Sequence, residues 1–123
     1  MQQQTILLVD QKPATASLMS VYLRADGLAV DHTPNPSEAL EFARQMKYSV
    51  VITDLVMPGM TGLDLYHEIR SRNGDVRFMF LITISSEELK LMGSLNRQDV
   101  IKKEPLSINE VIFKVRAVLM NSH

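Results

Sequence analysis

One stretch of the sequence decides the fold: Val50-Val51-Ile52-Thr53-Asp54-Leu55-Val56-Met57-Pro58-Gly59-Met60-Thr61-Gly62. Its three leading β-branched residues predict a strand buried on both faces, because a strand with one solvated face alternates apolar and polar residues. Asp54 stands where that strand ends, and Pro58, Gly59 and Gly62 then break the chain before a helix. Ligands of open α/β sheets bind beyond the carboxyl ends of the strands, so Asp54 is the first candidate site residue.

Strands and helices alternate along the rest of the chain. Apolar runs predict strands over 5–10, 50–54 and 78–83, alternation of apolar and polar residues predicts a strand nearer an edge over 28–33, and a weaker pattern predicts a fifth strand over 100–103. Helical spacing and capping signals predict helices that begin near 13, 36, 62, 86 and 108. Each strand is followed by a helix, which predicts an α/β fold with helices on both faces of a doubly wound, five-stranded parallel sheet.

The strand order follows from which strands are most apolar. The first, third and fourth strands are continuous apolar runs and therefore belong in the middle of the sheet. The order 2-1-3-4-5, which is flavodoxin-like, satisfies this and places the switch point between strands one and three. Those strands end in Asp10 and Asp54, and Thr83 ends the neighbouring strand. We therefore expect these three side chains at one edge of the sheet.

Composition limits the classes of protein to consider. With 123 residues, 46% of them hydrophobic, the chain 1–123 is expected to form a single globular domain. A net charge of −1 and the lack of a basic run give no reason to expect nucleic-acid binding. Cysteine is absent, which excludes disulfides and thiolate metal sites. No apolar run is long enough for a signal peptide or a membrane span, so we expect a cytoplasmic protein with no membrane partner.

Two carboxylates and a hydroxyl at one edge are typical of a site for a hard cation. Mg2+ takes oxygen ligands and is usually held by one or two carboxylates together with a phosphate. A carboxylate beside Mg2+ can also attack phosphorus and form an aspartyl phosphate. The alternative is that these residues are solvated strand ends and helix caps, and spacing by itself leaves both interpretations open.

Four segments of the sequence resemble the receiver domain of two-component response regulators. They are Leu7-Leu8-Val9-Asp10, the stretch from Asp54 to Gly62, Ile82-Thr83, and Lys103-Glu104-Pro105. The segment D-x-x-M-P-x-x-x-G, which is matched throughout from Asp54 to Gly62, is the most specific of them. The similarity spans the whole chain, with the element order of that family.

The resemblance implies a role for each matching position. Asp54 would accept a phosphoryl group from a histidine kinase or phosphotransfer protein. Mg2+ would be held by Asp10, Asp54 and the backbone carbonyl of Val56, while Thr83 and a lysine, Lys103, would contact the phosphoryl group. The change would switch a surface that contacts an output domain or partner protein, with a homodimer as a further possibility. Such a domain is no enzyme beyond its own phosphorylation and dephosphorylation.

Several positions depart from the family pattern and make this an atypical member. Gln11 replaces the second acid after strand one, so Mg2+ binding is expected to be weak. Ile84 follows Thr83 where the family usually has a small residue, and its side chain is expected to narrow access to Asp54. Strand five also lacks the usual aromatic residue, since Val100 or Ile101 takes its place.

The lysine of the family pattern has two candidate positions here. Alignment on Pro105 puts Glu104 at that position, where it would repel a phosphoryl group and raise the pKa of Asp54. A slip of one residue would restore Lys103, and alternation along a strand allows only one of the two to face the site. We expect a cis Glu104–Pro105 peptide bond, as in the Lys-Pro bond of the family.

Two other functions stay open beside the phosphoacceptor. Gln11, Ile84 and Glu104 together suggest a pseudo-receiver that acts by protein contact without phosphorylation. A small Mg2+-dependent phosphatase or flavin protein is a third class. Lys12 stands where such a phosphatase would have a second acid, and no phosphate-binding loop is apparent.

Overall fold

Five parallel strands form the central sheet of the protein, whose computed structural model describes residues 3–120. These five strands are β1 (Thr5–Val9), β2 (Ala29–Thr33), β3 (Val50–Asp54), β6 (Arg77–Ile82) and β7 (Val100–Lys102), and two short strands outside the central sheet are β4 (Val56–Met57) and β5 (Met60–Thr61). The helices are α1 (Pro13–Ala25), α2 (Pro36–Gln45), α3 (Gly62–Arg70), α4 (Ser86–Met92) and α5 (Ile108–Met120), with a 3₁₀ turn at Arg97–Asp99.

The sheet has the order β2-β1-β3-β6-β7, which confirms the predicted order of the five main strands. β4 and β5 form a separate antiparallel hairpin in the loop after Asp54, which was not predicted. The predicted domain 1–123 includes residues 1–2 and 121–123, which lie outside the described part. Within residues 3–120, no helix is long and apolar enough to cross a membrane.

Two hydrophobic clusters cover the two faces of the sheet. Alternate residues of β1 divide between them: Ile6 and Leu8 pack in the cluster with α1 and α5, and Leu7 and Val9 in the cluster with α2 and α3. All four side chains are fully buried. The continuous apolar runs in the sequence therefore reflect strands with a helix layer on each side.

The helix starts follow the predicted capping signals. The Asn35 side chain accepts hydrogen bonds from the first turn of α2, and Thr61 and Asp64 form a complete capping box at the start of α3. α4 ends at Met92, where Gly93, a poor helix former, follows it. Because β1, β3 and β6 are parallel neighbours, the loops that follow them lie at one edge of the sheet.

Candidate functional site

Three charged side chains meet at the carboxyl ends of the central strands: Asp10, Asp54 and Lys103. β1 and β3 are parallel neighbours with Val9 paired to Thr53, so the acids that follow them come to the same edge. Lys103 Nζ lies 2.5 Å from Asp10 Oδ1 and 2.7 Å from Asp54 Oδ1. All three residues are buried. One ammonium therefore bridges two carboxylates and leaves one negative charge uncompensated.

Hydrogen bonds from the segment after β1 hold both carboxylates in place. The Gln11 N–H donates to Asp54 Oδ2 at 2.9 Å. The Lys12 N–H donates to Asp10 Oδ1 at 2.9 Å, and the Thr15 hydroxyl donates to Asp10 Oδ2 at 2.6 Å. Buried carboxylates need such partners, because an unpaired charge away from water is costly. The acids are thus fixed before any ligand arrives.

The buried cluster changes the acidity of its members. Burial raises the pKa of Asp54 above its ordinary value, although hydrogen bonds from Lys103 and the Gln11 N–H oppose the rise. Burial alone would lower the pKa of Lys103, but its hydrogen bonds to Asp10 and Asp54 raise it above the ordinary value. Lys103 therefore stays charged at neutral pH, and ionised Asp54 is a stronger base than an exposed aspartate.

The side chain of Lys103, and not that of Glu104, is the one that reaches Asp54. The Lys103 N–H donates to the Ile82 carbonyl at 2.8 Å and so extends the pairing of β7 with β6 by one residue. Glu104 is exposed, and its carboxylate lies 3.2 Å from Lys12 Nζ at the rim of the site. The Glu104–Pro105 peptide bond is cis, as predicted. Of the two candidates that the sequence left open, Lys103 is therefore the residue that contacts Asp54.

The hairpin after Asp54 turns the chain so that Gly62 packs against the end of β3. The Gly62 N–H donates to the Leu55 carbonyl at 2.7 Å. A Cβ atom on Gly62 would lie 2.7 Å from the Asp54 carbonyl oxygen and 3.1 Å from Phe80 Cδ1. A larger residue would push this backbone away, so glycine is required for the loop that holds Val56 beside Asp54.

A cavity of about 470 Å³ opens in front of Asp54. Gln11 and Val56 line it together with Asp54, so their oxygens could join a carboxylate in holding a metal ion. Such an oxygen set fits Mg2+. Within residues 3–120, no group of three or more acidic or histidine side chains is arranged to hold a metal ion.

The loop after β6 holds Thr83 on a carboxylate other than Asp54. Thr83 lines the same cavity, but its hydroxyl donates to Glu88 Oε1 at 3.2 Å. The Thr83 N–H donates to both Glu88 oxygens at 3.0 Å, and the Ser85 N–H donates to Glu88 Oε1 at 2.6 Å. Burial would raise the pKa of Glu88, but the hydrogen bonds from Ser85 and Thr83 hold it below its ordinary value.

Glu88 is a residue of this site that the sequence analysis missed. It is the third residue of α4 and completes a capping box with Ser85. The spacing Ser85-x-x-Glu88 is the signal that could have found it. The Glu88 carboxylate also accepts hydrogen bonds from Thr83, after the end of β6, which a capping box does not predict.

Ile84 has a left-handed backbone, with φ at 61°. A residue other than glycine pays about 1–3 kcal/mol for this conformation, and a β-branched residue seldom adopts it. The side chain is 50% exposed. In the part of the chain that the structure describes, the cavity lining at Asp54 does not include Ile84. The narrowing of access to Asp54 by this side chain therefore stays a prediction.

Comparisons with known proteins agree with this geometry. A sequence model of the response regulator receiver domain matches residues 6–115. The Probable transcriptional regulatory protein TcrX of Mycobacterium tuberculosis is 33% identical over 115 residues, which are 94% of this chain and 49% of that protein. The transcriptional regulatory protein BaeR of Escherichia coli is 34% identical over 116 residues, 93% of this chain and 47% of that protein. The chain spans about half the length of the curated relatives it matches.

Solved structures share the fold along nearly the whole chain. The chemotaxis protein CheY4 of Vibrio cholerae superimposes with a TM-score of 0.80 at 23% identity, covering 95% of this chain and 99% of that one. The receiver domain of the hybrid histidine kinase CckA gives a TM-score of 0.76 at 26% identity, covering 94% and 98%. Because the family match runs from β1 into α5, with Asp54 at the switch point of the sheet, the chain belongs to the receiver domains of two-component response regulators.

Proposed function

We propose that Asp54 accepts a phosphoryl group from a histidine kinase or phosphotransfer protein. The observation that carries the proposal is the Lys103 ammonium, which lies 2.7 Å from Asp54 Oδ1 at the wall of an open cavity. A fixed cation beside a carboxylate is what an incoming phosphoryl group requires, because catalysis of its transfer consists mainly of positioning and charge neutralisation.

The transfer balances with the groups at the site. A carboxylate oxygen of Asp54 forms a bond to phosphorus while the bond from phosphorus to the donor's histidine nitrogen breaks, and that nitrogen takes up a proton. The Gln11 N–H holds one Asp54 oxygen, which orients the carboxylate. Lys103 neutralises charge on the phosphoryl oxygens. The raised pKa of Asp54 makes its ionised form more nucleophilic than that of an exposed aspartate.

We further propose that Mg2+ assists, as it generally does in this family. Asp54, Gln11, the Val56 carbonyl and Asp10 would hold it, and it would supply positive charge to the phosphoryl oxygens. Asp10 is fully buried and paired with Lys103, so its carboxylate would meet the ion only after the ammonium moves. With two carboxylates in the set, binding would be weak.

The wider role is also a proposal. Relatives of about twice this length are transcriptional regulators, which supports an output domain or partner protein that responds to the phosphorylated receiver. We propose that the protein acts in the cytoplasm and that it forms a homodimer when phosphorylated. Light scattering with and without a phosphodonor tests the dimer. A pseudo-receiver that acts by protein contact without phosphorylation is less well supported, because Lys103, and not Glu104, pairs with Asp54.

The test is incubation with Mg2+ and acetyl phosphate, followed by intact-mass and peptide mass spectrometry. We expect one added phosphoryl group on Asp54 and none on an Asp54→Asn variant. Absence of the adduct from the wild-type protein at high donor and metal concentrations would reject phosphorylation. A phosphoryl group on a residue other than Asp54 would reject this acceptor.

A further inference from the structure

We propose that Glu88 is a positioning residue that competes with the phosphoryl group on Asp54 for the Thr83 hydroxyl. The hydrogen bond between Thr83 and Glu88 stabilises the unphosphorylated state, and it must break when Asp54 is phosphorylated. The inference rests on the proposed function of Asp54. It adds Glu88 to the residues that affect phosphorylation and predicts that Glu88 slows it.

The first observation is the set of donors that one carboxylate collects. The Thr83 hydroxyl, the Thr83 N–H and the Ser85 N–H all donate to Glu88 Oε1. Glu88 is 4% exposed, so little water is available to replace these donors. Hydrogen bonds to a buried carboxylate are stronger than those between neutral groups. The end of β6 is therefore firmly attached to the first turn of α4.

The second observation is the backbone between those donors. Thr83 and Ser85 direct their N–H groups at the same oxygen, and Ile84 between them has the left-handed φ of 61°. This backbone conformation is unfavourable for a β-branched residue. The loop is therefore held by Glu88 against the local preference of its own sequence, and loss of the Glu88 contacts would let it relax.

Competition follows because the Thr83 hydroxyl has one proton to donate. Thr83, Glu88 and Asp54 line a single cavity, so a phosphoryl group on Asp54 would bring a second strong acceptor to the same space. Glu88 also carries a negative charge that opposes a phosphoryl dianion. Both effects act in one direction: Glu88 slows phosphorylation and favours the unmodified state.

The hydrogen bond between Thr83 and Glu88 also indicates which part of the surface would respond to phosphorylation. The Thr83 hydroxyl donates to Glu88, a residue of α4, and β7, whose sequence is Val100-Ile101-Lys102, carries no aromatic residue. Release of Glu88 would remove the capping-box carboxylate from Ser85 as well as from Thr83. The N-terminal turn of α4 is therefore the segment whose position would change on phosphorylation.

A first experiment needs neither a donor nor phosphorylation. In the unphosphorylated protein, the amide protons of Thr83 and Ser85 should shift together as the pH is lowered, with a midpoint below 4.5, the ordinary pKa of glutamate. The shift should vanish in Glu88→Gln and persist in Glu87→Gln, the exposed neighbour in the same turn. Nuclear magnetic resonance measures it. A flat titration in the wild type, or the same titration in Glu88→Gln, would overturn the contact.

A second experiment measures the competition. With acetyl phosphate and Mg2+, we expect Glu88→Gln to phosphorylate about tenfold faster than the wild type, the effect of one hydrogen bond of ordinary strength. Glu87→Gln should match the wild type. Equal rates for both variants would overturn the role of Glu88 and leave the function of Asp54 intact. No adduct on any of the three proteins would reject the function of Asp54 and the competition with it, while the amide titration would still report the contact.

Discussion

Lys103 and Asp54 form a buried ion pair of 2.7 Å although 49 positions separate them along the chain. The same ammonium contacts Asp10, so a single cation compensates two buried acids. Removing it would leave the two buried carboxylates without the cation that compensates them. The stability of the domain and the chemistry of Asp54 therefore depend on the same side chain.

Replacement of Lys103 by methionine should lower the free energy of unfolding by about 3–5 kcal/mol at pH 7, because one partner of a buried pair is lost. Mg2+ should recover part of the loss by supplying positive charge to Asp10 and Asp54. Urea unfolding with and without Mg2+ measures both effects. Lys102→Met, at the exposed neighbouring position, is the control and should change the free energy by less than about 0.5 kcal/mol. Equal loss in the two variants would contradict the prediction.

The pH dependence of stability should reveal the raised pKa of Asp54. Above pH 3.8, the ordinary value, the unfolded chain loses this proton while the folded protein still holds it, so the contribution of Asp54 to stability falls as the pH rises through its folded-state pKa. Asp54→Asn lacks this decline and should gain stability relative to the wild type between pH 4 and pH 7. Urea unfolding across that range measures the difference, with the exposed Asp75→Asn as control. A constant difference would contradict the raised pKa.

Replacement of Gln11 by aspartate should strengthen Mg2+ binding. The side chain lines the cavity and is exposed, so a carboxylate there adds charge without burial. We expect the dissociation constant to fall roughly tenfold, which corresponds to about 1.4 kcal/mol. Isothermal titration calorimetry measures it, with Gln11→Ala as the neutral control. If Gln11→Asp binds Mg2+ no more tightly than the wild type, position 11 lies outside the metal site.

Replacement of Ile84 by asparagine should stabilise the domain by about 1 kcal/mol. Asparagine tolerates a left-handed backbone better than a β-branched residue does, and the half-exposed Ile84 side chain loses little burial. Thermal and urea unfolding measure the gain. Ile84→Val keeps the branching and should show no gain. Equal stability of the asparagine and valine variants would mean that the loop carries no strain at this residue.

Replacement of Gly62 by alanine should destabilise the domain by about 1–3 kcal/mol, because the new methyl group would overlap the Asp54 carbonyl. The matched control is Gly93→Ala, where a Cβ atom meets nothing within 4 Å. That variant should be as stable as the wild type or more so. Urea unfolding compares the two. Similar losses at both positions would show that the close approach at Gly62 is not the cause.

The strand order and the meeting of Asp10 with Asp54 could be predicted because they depend on simple patterns. A strand covered on both faces has to be apolar along its length, and polar residues at the ends of neighbouring parallel strands have to lie at one edge. The cap at Asn35 and the capping box at Thr61 follow equally local rules. These signals are short in range and need no knowledge of side-chain packing.

The details near β6 and β7 could not be predicted, since they depend on irregular backbone. The choice between Lys103 and Glu104 is decided by how far the pairing with β6 continues past the strand end. The left-handed backbone of Ile84 contradicts its residue type. The reach of Glu88 to Thr83 requires both that backbone and the start of α4 to be known beforehand.

The parallel order of the sheet also has a consequence for how the chain folds. Ile6 pairs with Val50, and Phe80 with Val100, so neighbouring strands meet only after a long intervening segment has closed into a loop. The entropy of closing such loops is paid before the contacts are gained, which makes non-local sheets slower to fold than helical bundles of similar size. Helices that form between the strands shorten those loops, which lowers the entropy that assembly of the sheet has to overcome.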